Sequence, residues 1–126
     1  MFLDTNVLIE ILSSEPRLDL IKFCNPYIEN ESVYISEIVL MEFLSWDKFT
    51  DNDIKIATKN ILKICKIKKQ NKAILYKTAE LRRKRSSLKL PDAIIAATAL
   101  IYKMPLLTFN LNDFKDIDKL NLRYLD

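Results

Sequence analysis

The sequence predicts an α/β fold built on a parallel central sheet. Short β-prone runs at residues 2–4, 33–35 and 106–108 are separated by longer stretches with helical apolar spacing. Strands that alternate with helices are typical of a parallel sheet covered by helices on both faces. The chain has 126 residues, 49% of them hydrophobic, which suits one domain with its own core. We therefore predict a single domain over residues 1–126.

Two strands and four helices are predicted in the N-terminal half. Thr5 or Asn6 can cap the helix after the first strand, Pro16 opens the next helix, and Ser36 can cap the helix after the second strand. In chain order, the elements are a strand (2–4), helices (7–12 and 17–28), a strand (33–35), a helix (37–46) and a helix that Asp51 or Asn52 caps and that presents Ile54, Ala57, Ile61 and Ile64 to the core.

The C-terminal half is predicted to complete a sheet of four to five strands. Its clearest helix begins at Leu90-Pro91-Asp92, is rich in alanine and is ended by Pro105. In chain order, the elements are an edge strand with alternating apolar and basic residues (63–68), a basic helix that Asn71 caps and that fades near Ser86, the alanine-rich helix (92–102), a strand (106–108), a helical turn (112–117) and a closing strand (122–125).

The absence of two residue types excludes several classes of enzyme. The chain has no histidine, so catalytic triads, Cys-His pairs and imidazole-bound zinc sites are excluded. It has no glycine either, so it lacks both a P-loop and a glycine-rich dinucleotide turn. Any catalysis must therefore come from carboxylates, lysines, hydroxyls or a metal ion.

The basic residues are concentrated in one block of the chain. Residues 59–89 hold twelve of the twenty lysines and arginines but only one of the seventeen acids, Glu80. Such a block suggests a face that binds a polyanion such as RNA or DNA. A solvated, lysine-rich helix face is the alternative.

Nothing in the sequence predicts export or a membrane span. The N-terminal residues carry an acid at Asp4 and no basic stretch, which is unlike a secretory signal peptide. No long uncharged apolar run is present. Cys24 and Cys65 form no CxxC pair, so we expect reduced core residues in a cytoplasmic protein.

Three acids occupy related places in this layout. Asp4 ends the first strand, at the sheet edge where ligands bind in open parallel sheets. Asp92 lies in the first turn of the alanine-rich helix, and Glu42 lies on a mostly apolar helical stripe where it would lose hydration. Each acid also has a structural alternative, as a capping residue or as the partner of a lysine.

A polar segment follows the strand at residues 106–108. Thr108, Asn110 and Asp113 would bring oxygen ligands or water contacts to the same sheet edge, although Asp113 could equally cap a helix. Sites built only from oxygen ligands suit Mg²⁺ or Mn²⁺ better than zinc or copper.

These residues, in this order, resemble the PIN domain. The motifs that carry the resemblance are Leu3-Asp4-Thr5-Asn6-Val7-Leu8-Ile9, Ser36 through Glu42-Phe43, Leu90-Pro91-Asp92-Ala93 with the alanines that follow, and Leu106-Leu107-Thr108 through Asn110 and Asp113-Phe114. Within that superfamily the chain is most similar to VapC-type toxins of toxin–antitoxin systems. The similarity covers essentially the whole chain.

The resemblance implies a three-layer α/β/α fold and an endoribonuclease that depends on Mg²⁺ or Mn²⁺. The family's acids fall on Asp4, Glu42 and Asp92, and its fourth acidic position aligns with an amide, Asn110, beside Asp113. The implied catalytic residues are thus Asp4, Glu42, Asp92 and Asp113, the metal ligands are these four with Asn110, and the supporting residues are Asn6, Ser36 and Thr108. The chain also departs from many relatives in having Val39 where they have threonine.

The implied partners are an RNA substrate, a cognate antitoxin and a second copy of the chain in a homodimer. Within the basic block, Arg82, Arg83, Lys84 and Arg85 could hold the RNA backbone. Two alternatives stay open: a catalytically silent PIN-fold module that binds RNA or protein, which the Asn110 amide favours, and a housekeeping RNA-processing nuclease. Asp4-Thr5-Asn6 lacks the second acid that an aspartate-nucleophile phosphatase would need.

Overall fold

A computed structural model describes residues 1–125 and confirms the predicted α/β architecture. In this range, a five-stranded, all-parallel sheet is flanked by seven helices, with the strand order β3-β2-β1-β4-β5. The elements are β1 (Phe2–Leu3), α1 (Thr5–Ile11), α2 (Leu18–Glu29), β2 (Tyr34–Ser36), α3 (Glu37–Leu44), α4 (Asp51–Ile64), β3 (Lys66–Lys68), α5 (Lys72–Lys84), α6 (Leu90–Tyr102), β4 (Leu106–Thr108), α7 (Leu111–Phe114) and β5 (Leu122–Tyr124).

The core lies on the inner strands and the helix faces that cover them. Strands β1 and β4 are buried along their whole length, as expected for the centre of a parallel sheet with helices on both sides. Ala93, Ala96 and Ala97 of α6 are fully buried, and their small side chains allow this face of the helix to pack closely against its neighbours. Cys24 and Cys65 are buried free thiols, as the sequence predicted, and burial raises their pKa values to about 11 and about 12.

Two of the predicted helix caps were wrong. The cap of α1 is Asp4, whose carboxylate accepts from the Thr5 backbone N–H, rather than Thr5 or Asn6. The cap of α4 is Thr50, which forms a capping box with Asp53, rather than Asp51 or Asn52. In each case an acceptor side chain one residue earlier competes for the same backbone donors.

Several other helix and strand boundaries differ from the predicted ones by a few residues. Residues 63 and 64 belong to α4, so the edge strand begins at Lys66. The helix α6 begins at Leu90 and ends at Tyr102, before Pro105, because Lys103 adopts a left-handed conformation that closes it. The helical turn α7 ends at Phe114, earlier than predicted.

The order of the strands places a topological switch point at the neighbouring strands β1 and β4, and the space beyond their carboxyl ends is called here the crevice between β1 and β4. From β1 the chain builds the sheet in one direction through β2 and β3, and then returns to add β4 and β5 on the other side. Ligands of open α/β sheets bind at such a switch point, beyond the carboxyl ends of the strands. None of the helices within residues 1–125 is long and apolar enough to cross a membrane.

Candidate metal-binding site at the sheet edge

Asp4 and Thr108 face each other across the crevice between β1 and β4. The Thr108 hydroxyl donates to Oδ2 of Asp4 at 2.7 Å, and the Thr5 backbone N–H donates to Oδ1 at 2.8 Å. Asp4 is 6% exposed and Thr108 is fully buried. Both carboxylate oxygens of Asp4 therefore have a donor, which fixes the side chain at the edge of the sheet.

The segment after β4 is tied to the same crevice. The Asn110 backbone N–H donates to the Thr108 hydroxyl oxygen at 2.9 Å, so this hydroxyl connects the segment to Asp4. The Asn6 side-chain oxygen accepts from the Phe109 backbone N–H at 3.4 Å. Asn6 thus holds the segment against α1.

Glu42 reaches the edge from α3 and was wrongly expected to be dehydrated there. Ser36 caps α3 at the end of β2, accepting from the Val39 backbone N–H at 3.4 Å, and Glu42 lies about one and a half turns further along. The Glu42 side chain is exposed rather than buried in an apolar stripe. Its Oε1 accepts a 2.6 Å hydrogen bond from the Thr5 hydroxyl.

Asp92 lies in the first turn of α6, which begins at the same edge of the sheet and runs away from it to the start of β4. Burial first, and then the negative charges of Asp113, Asp4 and Glu42, together raise the pKa of the Asp92 carboxyl to about 6, while the charge of Lys89 opposes the rise. Burial likewise raises the pKa of Asp4, with smaller contributions from Glu42 and Asp113. The structure therefore brings all four predicted acids within electrostatic reach of one another.

Asp113 and Asn110 form a pair at the start of α7. The Asn110 side-chain amide donates to Oδ2 of Asp113, so the two side chains lie together at the site. Asn110 is exposed and Asp113 is half-buried. The charge of Asp113 contributes to the raised pKa of both Asp4 and Asp92, which places it beside the other acids.

The donor set of this edge fits a hard divalent cation by its chemistry. It offers carboxylate, hydroxyl and amide oxygens and no sulfur or imidazole, as Mg²⁺ and Mn²⁺ prefer. Burial raises the pKa values of Asp4 and Asp92, so a cation bound at this edge would favour their ionised forms. Within residues 1–125, however, no three acids are arranged as a ready-made cage for one ion. Mg²⁺ often uses only one or two carboxylates, with waters and phosphates as its other ligands.

The predicted basic cluster lies on α5 and immediately after it. Arg82, Arg83 and Lys84 are exposed; the Nε of Arg82 donates to the Leu88 carbonyl at 3.1 Å, and Lys84 pairs with Glu80 at 3.1 Å. Arg85 is half-buried, and within residues 1–125 its Nη1 is buried without a hydrogen-bond partner. Arg85 is therefore less accessible to a ligand than its three neighbours.

A groove of about 650 Å³ separates α5 from the start of α6. Arg82 and Arg83 line it on one side, and Leu90 and Ile94 line it on the other. Asp92 lies between these two apolar residues in the sequence of α6. Two positions along a helix correspond to about 200° of rotation, so Asp92 lies on a different face of α6 from Leu90 and Ile94. The groove therefore lies beside the first turn of α6 and does not include its acid.

One residue of the site was missed by the sequence analysis. Thr5 was considered only as a helix cap, yet its backbone and side chain contact Asp4 and Glu42 respectively. A hydroxyl residue directly after an acid at a strand end was the available signal. The partner of that hydroxyl could not be inferred, because Glu42 is 37 residues away in the chain.

The sequence matches one protein family over most of its length. The model of the PIN domain family matches residues 1–120. No curated protein is significantly similar to the chain in sequence.

Several solved toxin–antitoxin complexes contain a chain with the same fold. A chain of the toxin–antitoxin complex from Klebsiella pneumoniae is 30% identical, with a TM-score of 0.76 over 97% of this chain and 94% of its own. VapBC2 from Rickettsia felis, bound to a DNA fragment from its promoter, has a TM-score of 0.84 at 23% identity, covering 99% and 98%. DNA-bound VapBC from Salmonella typhimurium has a TM-score of 0.80 at 22% identity, covering 98% and 96%.

Proposed function

Because the chain belongs to the PIN-domain family, we propose that it is a metal-dependent endoribonuclease, the VapC-type toxin of a toxin–antitoxin pair. The single observation that carries the proposal is the convergence of Asp4, Glu42, Asp92 and Asp113 at the β1–β4 crevice. Such a concentration of acids destabilises the folded chain unless a cation neutralises it. A structural role alone would not favour this arrangement.

The proposed cofactor is Mg²⁺ or Mn²⁺, held by Asp4, Glu42 and Asp92. When bound, the ion would neutralise charge on the scissile phosphate and activate a water for attack on phosphorus. Asp4 is the best-oriented ligand, because the Thr108 hydroxyl and the Thr5 backbone N–H fix its two oxygens. Asn110 and Asp113, already hydrogen-bonded to each other, would orient water or complete the ligand set.

The proposed substrate is single-stranded RNA, and we propose that the part of its backbone beyond the cleavage point lies in the groove between α5 and α6. Arg82 and Arg83 line that groove and present positive charge to phosphates, while Leu90 and Ile94 offer apolar surface to bases or sugars. The charge of Lys89 acts on Asp92, so a cation stands close to the acids where the scissile phosphate would approach. Phosphate contacts to Arg82 and Arg83 would position the strand without reading its sequence.

The proposed regulator is an antitoxin that inserts a cationic side chain among the acids. A chain 30% identical to this one is part of a toxin–antitoxin complex, which supports a partner of this kind. An arginine would be attracted to the negative charges of Asp4 and Asp92 and would compete with the metal for them. A homodimer, as expected from the family, is part of the same proposal.

The decisive activity test is incubation of the purified, antitoxin-free protein with total cellular RNA in Mg²⁺, in Mn²⁺ and in EDTA. We expect discrete fragments with either metal and none in EDTA, and we expect Glu42→Gln to remove them while Glu29→Gln, an exposed change at the end of α2, does not. No cleavage by the folded wild type in either metal would favour a catalytically silent RNA-binding module instead. The Asn110 amide is the observation that keeps this second candidate open.

A further inference from the structure

We propose that Thr5 is a positioning residue whose hydroxyl holds Glu42 beside Asp4, so that both carboxylates can bind one divalent cation. The inference rests on the proposed function and adds a residue to it. The Thr5 hydroxyl donates to Oε1 of Glu42 at 2.6 Å, and the Thr5 backbone N–H donates to Oδ1 of Asp4 at 2.8 Å. One residue therefore contacts two acids that come from different parts of the chain.

Glu42 needs such a contact because little else fixes its side chain. It is exposed, it lies in the last turn of α3, and a glutamate side chain has several rotatable bonds. Within residues 1–125, its carboxylate has no salt bridge, and the Thr5 hydroxyl is its one hydrogen-bond partner. The negative charge of Asp4 would also push Glu42 away from the crevice. A donor on the Asp4 side is what keeps the two carboxylates together.

Thr5 is itself rigid enough to position another residue. It is the first residue of α1, directly after the Asp4 cap, so its backbone is fixed by the helix. A β-branched side chain has few accessible χ1 rotamers, so its hydroxyl has a defined direction. The helices α1 and α3 pack against each other, which sets the separation that the hydrogen bond spans. Asp4 and Glu42 are thus connected through a short and stiff link.

The test compares Thr5→Val, which keeps the shape but loses the hydroxyl, with Thr5→Ser, which keeps the hydroxyl. Mn²⁺ affinity is measured without RNA, by the electron paramagnetic resonance signal of free Mn²⁺. We expect Thr5→Val to weaken Mn²⁺ binding about 10-fold, the lower end of the usual loss when a partner of a metal ligand is removed. Thr5→Ser is expected to bind Mn²⁺ like the wild type, which would separate positioning from packing.

Thr98→Val is the matched control, because it removes a hydroxyl that bonds only to the Ile94 carbonyl within α6. It should leave Mn²⁺ affinity unchanged, and thermal melts should show that all variants fold. In a Glu42→Gln background, Thr5→Val should cause no further loss of Mn²⁺ affinity, since the carboxylate that Thr5 positions is already absent. This non-additivity is the signature that a purely structural role of Thr5 would not produce.

Several outcomes would overturn the inference. Wild-type affinity in Thr5→Val would do so, as would equal losses in Thr5→Ser and Thr5→Val or additive losses with Glu42→Gln. If the folded wild type binds no Mn²⁺, both the proposed metal site and the role of Thr5 are wrong. If Glu42→Gln weakens Mn²⁺ binding while Thr5→Val does not, the metal site stands and only the role of Thr5 is wrong.

Discussion

Replacing Asp4 with asparagine is expected to reduce RNA cleavage at least about 100-fold while leaving the protein folded. Removing a partner of a metal ligand typically costs 10- to 100-fold in affinity or activity, and losing the ligand itself should cost no less. Asparagine keeps one side-chain oxygen to accept from the Thr5 backbone N–H, and it is as good a helix cap as aspartate. The loss should therefore come from the missing charge.

The same substitution should not destabilise the metal-free protein. Burial raises the pKa of Asp4, so the folded chain carries an unfavourable charge there at neutral pH, which the amide removes. Cleavage rates with Mn²⁺ and thermal melts in EDTA measure the two effects. Asp118→Asn is the matched control, because Asp118 is exposed and precedes β5, at the opposite end of the strands. Wild-type cleavage by a folded Asp4→Asn variant would show that this carboxylate is not needed.

The second large effect is on stability, where Asp92→Asn is expected to stabilise the metal-free protein by about 1.5 kcal/mol at pH 7.5. Burial and then the neighbouring acids raise the pKa of Asp92 to about 6, about two units above an ordinary aspartate. Each unit corresponds to about 1.4 kcal/mol, and we halve the sum because the side chain is partly exposed to solvent. The neutral amide avoids this cost.

The pH dependence of that effect has a definite sign. Between pH 3.8 and about 6 the folded chain holds the Asp92 proton more tightly than the unfolded chain does. The contribution of Asp92 to stability is therefore fully present below pH 3.8 and is lost as pH rises through about 6. Urea denaturation of wild type and Asp92→Asn in EDTA should show a difference that grows from pH 4 to pH 7 and then levels off.

Mn²⁺ should reverse the order of stability, making the wild type more stable than Asp92→Asn. An ion that binds only the folded state stabilises it in proportion to the logarithm of its concentration, and the wild type should gain more than a variant without the Asp92 charge. Asp118→Asn again serves as the control. A difference between wild type and Asp92→Asn that is constant with pH, or a variant that is less stable in EDTA throughout, would contradict this account of the site.

The elements of the sheet were predictable because their signals are local. The buried strands β1 and β4 are short apolar runs, and the alanines of α6 identify both a helix and a close-packed face. Asp4 and Asp92 could be placed at one edge from their position after a strand and at a helix start. The wrong caps show the limit of such signals, since Thr50 and Asp51 are both good capping residues and only the fold decides between them.

The relations between distant segments could not be predicted from residue patterns. Helical spacing placed Glu42 on an apolar stripe, but α3 turns this side chain toward the open edge of the crevice, where water reaches it. The Thr5–Glu42 and Thr108–Asp4 hydrogen bonds join residues 37 and 104 positions apart. The hydrogen bond from Asn110 to Asp113 could not be inferred either, although both residues were predicted to lie at the site.

The most direct measurement of the central claim is anomalous scattering from crystals of the antitoxin-free protein soaked in Mn²⁺. The account predicts an anomalous peak in the crevice between β1 and β4, contacted by the carboxylates of Asp4, Glu42 and Asp92. An ordered crevice with no peak at saturating Mn²⁺, or Mn²⁺ bound only elsewhere on the surface, would contradict it.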